Sequence, residues 1–362
     1  MPTIDIFRSD AFSLIEMSAY VNRTPYAPTG LGLLNIFDPT PLRTTILSVE
    51  EEDGVLGLVP VTERGAPTVE LTRSKRRLRG AFKIPRLAEG STINSADIQN
   101  IRASNTATEL QQVQDEVVRR LDGPGGIRQR LEMTREYMRL GAIRGQLRDA
   151  PTPAQISAGQ PGDLIYDWYN EFGIATPAPI AFDLKNTTAD GKRPGYLRRQ
   201  CNSVVRSMQR AAKGAWLPST QLYAMCGDAF WDELTTHPDV EKTYLNWASL
   251  QDGATRLREG TAFDAMSFGG INWFNYRGSD DGVIGLAQDQ VRFFPVGAPG
   301  VFQEAMAPGE GMDAVNTLGQ KEYAMVVVDP ERNFWARPEV YSYPLFICTR
   351  PEMLLSGVMG AS

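Results

Sequence analysis

Histidine occurs once in this chain of 362 residues, at His237. One imidazole excludes the His-rich metal sites, and a Ser-His-Asp triad would have to rest on a residue standing directly before Pro238 with no Gly-x-Ser-x-Gly elbow in the sequence. A structural histidine at a helix end is the expectation. Cysteine is also scarce: Cys201, Cys226 and Cys348 are odd in number, far apart and in no Cys-x-x-Cys spacing, which argues for buried free thiols and against a disulfide framework or a zinc site. No apolar run approaches the length of a membrane span, and Met1 to Asp10 lacks the apolar core of a secretory signal. Gly123 to Gly126 is followed by no Lys-Ser or Lys-Thr, so it is not a phosphate loop. The neighbouring carboxylates Asp280-Asp281 and Glu51-Glu52 fall on opposite faces of a strand or in a turn, where they cannot act as an acid and base pair. Neither a cofactor, a metal nor a catalytic residue is indicated.

Positive charge is the minority: 37 Lys and Arg stand against 43 Asp and Glu, a net charge of -6. A general nucleic-acid binder carries the opposite balance. The length calls for two or more domains, and a 42% apolar fraction suffices to fill their cores. Trp168, Tyr169, Trp216, Trp231, Trp247, Trp273 and Trp335 are scattered, so packing is their expected role.

What is present is a sequence of unlike segments. Residues 1–42 read as an arm: Ser9 caps a short helix, and Pro25, Pro28, Pro39 and Pro41 stop further regular structure. Its Leu31, Leu33, Leu34, Ile36 and Phe37 are too apolar to be left in water, so it should lie on its own chain or on a neighbour. Residues 43–85 read as a β excursion, with strands from Thr44 to Glu50 and from Val55 to Val61, a turn at Asp53-Gly54, and a third run from Val69 to Ile84. Such an excursion is marginal alone in water.

Helical period begins after Asn105. Thr106 and Glu109 fit a capping box, and Leu110, Val113, Val117 and Leu121 follow at helical spacing. Asp122-Gly123-Pro124-Gly125-Gly126 must interrupt that helix, and a second runs from Ile127 to about Arg148 with Leu131, Met138 and Ala142 on one side. Gly141 and Gly145 mark a place for another backbone to approach. Residues 150–162 read as a surface loop, Tyr196 to Lys213 as a helix, and Met225 to Val301 as a mixture of short helices and strands. Glu322 to Val328, Val340 to Cys348 and Met353 to Met359 are the final strands.

Two charge clusters stand out. Arg73, Lys75, Arg76, Arg77 and Arg79 crowd one strand, and Glu50, Glu51, Glu52 and Asp53 lie in the same excursion. Charge pairing within or between copies explains both clusters, whereas DNA contact explains only the basic one. A solvated strand face is the plainest alternative.

Blocks along the chain carry a resemblance. They include Val59-Pro60 with Arg64-Gly65-Ala66-Pro67, Phe82-Lys83-Ile84-Pro85, Thr134-Arg135-Glu136 with Leu140-Gly141-Ala142, and Tyr166-Asp167 with Glu171-Phe172-Gly173. Further on come Cys226-Gly227-Asp228, His237-Pro238, Phe294-Pro295-Val296-Gly297, Asn316-Thr317-Leu318-Gly319, Tyr343-Pro344-Leu345 and Arg350-Pro351-Glu352-Met353. In this order they resemble the lambda-type major capsid proteins, the E family of tailed-phage coat proteins. The resemblance implies an α+β fold of the HK97 type: an arm (1–42), an extended loop (43–88), a peripheral domain on a spine helix (89–185 with 322–345), and an axial domain (186–321 with the terminal strand 346–362).

It further implies hexamers and pentamers of this chain closing into an icosahedral shell in the host cytoplasm, together with a scaffold, a portal and a decoration protein. That shell would hold double-stranded DNA without sequence specificity. The absence of a long charged helical extension ahead of the arm suggests that the scaffold is a separate chain. On this reading the two charge clusters meet across subunits, and Gly123, Pro124, Gly125 and Gly126 are a hinge in an interrupted spine. Lysine is sparse in the extended loop, with only Lys75 and Lys83. The rival readings are nucleic-acid binding through residues 73–79 and an unrecognised hydrolase using His237.

Overall fold

The computed structural model describes residues 30–52, 76–94, 109–123, 125–184, 195–248, 265–276, 278–279, 283–332 and 334–360. The expected strand Val55 to Val61, the turn at Asp53-Gly54, the capping residue Thr106 and the pair Asp280-Asp281 lie outside them.

In chain order, a short helix α1 (Gly30–Leu33) leads to β1 (Asp38–Pro41), β2 (Ile46–Glu52), β3 (Arg76–Lys83), β4 (Leu87–Gly90) and β5 (Ile93–Asn94). The helices α2 (Glu109–Asp122) and α3 (Ile127–Arg144) follow, then β6 (Gln146–Arg148), α4 (Pro153–Ser157), β7 (Leu164–Asp167), α5 (Trp168–Glu171) and β8 (Ile180–Phe182). Next are α6 (Tyr196–Ala211), β9 (Gln221–Cys226), α7 (Asp228–Thr235), α8 (Pro238–Ala248), β10 (Ala265–Phe268), β11 (Ile271–Asn275) and β12 (Gln290–Val296). The chain closes with β13 (Phe302–Met306), β14 (Tyr323–Val328), β15 (Trp335–Ser342), β16 (Pro344–Cys348) and β17 (Leu355–Met359).

Two apolar cores organise these elements. A six-stranded sheet in the order β10-β11-β9-β12-β17-β8 separates them. Because side chains alternate across a strand, Ala224, Trp273 and Phe293 face one core while Met225, Phe274 and Phe294 face the other. Helix α6 lays Leu197, Cys201, Val204 and Met208 on the first of these faces, at the spacing an amphipathic helix needs. Pro295 is tolerated inside β12 because β17 pairs only as far as Phe293, so no neighbour asks for its missing N–H.

The larger core lies around α3, which is flanked by a three-stranded sheet (β1-β13-β16) and a four-stranded sheet (β14-β15-β4, with β5 also on β15). The expected single strand from Val340 to Cys348 is two strands in two different sheets. Tyr343 is the corner, with its carbonyl accepting from Ala307 N at 3.1 Å, and Pro344 opens the new strand at the position where a missing N–H costs least.

Two further expectations need correction, and a third, the close backbone approach at Gly141, is met by the chain itself. Helix α3 stops at Arg144, short of Arg148, because Gly145 takes a left-handed φ of 79° that ends the helix. The backbone admitted by Gly141 is the chain's own return: a Cβ there would stand 2.6 Å from the carbonyl oxygen of Gln146. The surface loop at 150–162 contains α4, which starts where Thr152 and Gln155 form a capping box ahead of Pro153.

Candidate assembly surfaces

The described part of the arm lies on its own chain. Leu31, Ile36 and Phe37 are buried, and Phe37 meets Phe302 and Phe346 edge-on with ring centroids at 5.2 Å from each. β1 adds to β13 in parallel, from Asp38 opposite Gln303 to Pro41 opposite Met306. The start of α1 is held by one side chain: Glu136 accepts from Leu31 N at 2.6 Å and from Gly32 N at 3.1 Å.

Glu136 belongs to a charged network buried beneath α3. Arg135, 1% exposed, donates to Ser342 Oγ and to the Lys321 carbonyl at 3.0 Å each, and also to Glu304. Arg139 donates to Glu132 at 2.7 Å and to Glu136 at 3.3 Å, and Lys321 reaches Glu132 at 3.2 Å. Both guanidiniums stand over the Phe346 ring, at 6.0 and 5.3 Å from its centroid. Burial pushes the Glu132 carboxyl up, but Arg139, Arg135 and Lys321 outweigh it and hold it below the usual range. The network ties the arm root, β13, the end of β15 and the loop before β14 to one helix face.

Sequence reading missed this network, although Thr134-Arg135-Glu136 was among the blocks carrying the resemblance. The available signal was spacing: Glu132, Arg135, Glu136 and Arg139 fall at i, i+3, i+4 and i+7. A charged stripe of that kind ordinarily marks a solvated face, and the partners that reverse the reading are distant in sequence.

β2 and β3 form a two-stranded ribbon that joins no other sheet among the described residues. Its register sets Glu51 opposite Arg77 and Glu52 opposite Arg76, with Glu50 opposite Leu78 after an irregularity at Val49/Glu50. The register thus pairs two positions of the acidic cluster with two of the basic one. Among its described side chains the base is embedded: Phe82 packs edge-on against Tyr166, Trp168 and Phe172, and Leu47 is buried, while Leu78 is 61% exposed and Glu50 is exposed. Arg79 serves its own chain, donating to the Phe172 carbonyl and standing 5.6 Å over that ring. Asp53, Arg73 and Lys75 lie outside the described residues.

The break in the spine is a tight turn between buried ends. Gly123 N donates to Arg119 O at 3.0 Å, Gly126 N donates to Gly123 O at 2.7 Å, and Gly125 takes φ 72°. Leu121 and Ile127 are buried on either side, and Arg128 spans the gap to Asp122 at 3.3 Å and to Glu322 at 2.8 Å. A Cβ on Gly123 would meet Arg119 O at 2.3 Å, and one on Gly126 would meet Leu121 O at 2.6 Å. Pro124 lies outside the described residues. Just ahead of the turn, Glu116 is buried and clamped by Arg119 and Arg120 at 2.8 Å each; the hydrogen bond from Arg119 leads in holding its carboxyl low.

The scarce residues are structural. His237 stands between α7 and α8, its Nδ1 accepting from Asp239 N at 3.1 Å, and burial lowers its pKa. The three cysteines are free and buried; burial pushes the Cys201 and Cys348 thiols up to about 12. Trp168 and Trp273 are fully buried.

Taken in order, these parts are those of a shell subunit with the HK97-like capsid fold. The structure is similar to that of a putative capsid protein of a prophage from E. coli CFT073, with a TM-score of 0.51 and 12% identity, covering 96% of this chain and 99% of that one. Residues 13–359 match the family Phage major capsid protein E, and the chain belongs to that family. It is 25% identical to the major capsid protein of Salmonella phage Felix O1 (isolate Felix O1-VT1) over 371 residues, 95% of either chain. It is 28% identical to the major capsid protein of Pseudomonas phage KPP10 over 335 residues, covering 87% of this chain and 88% of that one. The chain is a structural protein of the phage head.

Proposed function

We propose that hexamers and pentamers of this chain close into the icosahedral head through the ribbon and through residues 1–29. The ribbon carries the reading. It has two strands, pairs with no other sheet among the described residues and exposes Leu78, a geometry that is marginal alone in water and offers two open edges to a neighbour. Heterologous contacts of that kind close into rings, and many modest patches sum to a stable shell.

In this assignment residues 1–42 are the arm, 43–88 the extended loop, 89–185 with 322–345 the peripheral domain, and 186–321 with 346–362 the axial domain. Glu50, Glu51, Glu52, Asp53, Arg73, Lys75, Arg76 and Arg77 supply the charged part of the subunit contact, while Arg79 holds the ribbon to Phe172 of its own chain. Gly123 to Gly126 let the spine change its bend between the precursor and the final shell. Assembly takes place in the host cytoplasm with a scaffold, a portal and a decoration protein. The shell holds double-stranded DNA without reading its sequence, and the role involves no catalysis.

Nucleic-acid binding through residues 73–79 is the second reading. The register disfavours it, because the backbone pairing sets positions Glu51 and Glu52 opposite positions Arg77 and Arg76. Negative-stain microscopy of the chain expressed with its scaffold decides: closed particles are expected, and discrete subunits with salt-dependent DNA affinity would overturn the assignment.

A further inference from the structure

Arg292 is an embedded cation that its own chain leaves without a charge partner among the described residues. It sits on β12 between Met225 of β9 and Ser356 of β17, and alternation turns it, like Phe294, toward the side where α3 lies. Its Nε is buried and has no hydrogen-bond partner, and no ion pair reaches its guanidinium among the described residues. Its electrostatic neighbours are the Tyr169 phenol, which donates to Leu354 O at 3.4 Å, and a second cation, Arg144. Burial, helped by Arg292, pushes the Arg144 guanidinium down to about 10.

Arg144 has an ordinary role as well. It lies in the last turn of α3, where a cation complements the helix dipole, and it donates to the Gly285 carbonyl. Nothing comparable serves Arg292 among the described residues. The contrast with Arg135 and Arg139 is direct, since those guanidiniums, more deeply buried than Arg292, are met by Glu132, Glu136 and Glu304. Two neighbouring cations facing no described carboxylate of their own chain are a poor internal arrangement and a good receptor for an anion.

We propose that Arg292 and Arg144 form a receiving site for a carboxylate side chain of a second copy of this chain in the shell, an assignment that rests on the shell reading above. A guanidinium whose Nε is buried can be reached by a slender carboxylate and poorly by a phosphate on the flank of a wide duplex. The chain also has carboxylates to spare, with 43 against 37 cations.

The test uses the full chain, as parent, Arg292→Leu and Arg292→Lys, in two measurements: thermal unfolding of unassembled subunits at low concentration, and disassembly of shells in denaturant by light scattering. Arg292→Leu should leave subunit melting unchanged or higher, since a partly buried charge with no ion-pair partner among the described residues has been removed, while its shells fall apart at lower denaturant. It should also raise the protein concentration needed for assembly about tenfold. Arg292→Lys, which keeps the charge without the planar fork, should fall between. A drop in subunit melting temperature for both variants would make Arg292 an internal structural residue and overturn the proposal. So would shells as stable as the parent's, or normal shells that have lost only retention of DNA. Whether the parent forms shells at all reports on the shell reading by itself, so the two failures are distinguishable.

Discussion

Glu136 reaches across 105 residues of chain to accept the backbone N–H of Leu31 at 2.6 Å. That bond divides the arm in two. From Leu31 onward the arm is part of the subunit's core, so deleting residues 1–29 should leave a soluble, folded chain by circular dichroism that no longer closes into particles. Deleting through Phe37 should also unfold the subunit or lower its melting temperature sharply. Phe37→Ala alone should cost about 3–5 kcal/mol, read from denaturant midpoints.

Arg135 is the most demanding member of the buried network, since it answers Glu304, Ser342 and Lys321 at once. Arg135→Ala should destabilise the subunit by about 3–5 kcal/mol, because Glu304 is then left buried and unpaired. Adding Glu304→Leu to Arg135→Met should recover much of that loss in urea titration. A double variant no better than the single one would mean that the bonds from Arg135 to Ser342 and to the Lys321 carbonyl matter more than its pairing with Glu304.

Much of this architecture was legible in residue spacing. The helix halves on either side of Gly123, the amphipathic face of α6 and the isolated β excursion all follow from local rules. The buried network was not legible, because helical spacing alone cannot distinguish a charged stripe facing water from one facing Glu304 and Ser342. Nor was the change of sheet at Tyr343, where the run from Val340 to Cys348 keeps strand composition throughout while its partners change from β14 to β13. Composition places both charge clusters in one excursion, yet only the register sets Glu51 against Arg77.

Acid should loosen the subunit in a defined window. The Glu116 and Glu132 carboxyls are held below their ordinary 4.5. Below that pH the unfolded chain takes up protons that the folded chain refuses, so stability falls as pH drops through the folded pKa values. Glu116→Gln should flatten that slope. His237 adds a separate window: its lowered pKa makes stability fall as pH drops below 6.5, and His237→Asn, which keeps a capping group, should remove that part of the slope. Denaturant midpoints from pH 7 to 3 measure both.

Alanine at Gly123 or Gly126 would push a Cβ into backbone oxygen, so either variant should lower the subunit's melting temperature. The hinge itself is better tested at Arg128, which spans the break. Arg128→Ala should let the precursor shell expand at a lower threshold, and an unchanged threshold by light scattering would make the turn a fixed corner.

In the proposed assembly, closure of the shell depends above all on the ribbon. A chain in which residues 50–79 are replaced by a short turn keeps Leu47 and Phe82 at the base and removes the rest. Negative-stain micrographs of that variant beside the parent should show closed shells from the parent and only folded, unclosed subunits or rings from the variant. Closed shells of parental size from the shortened chain would show the ribbon to be dispensable and contradict its role in assembly.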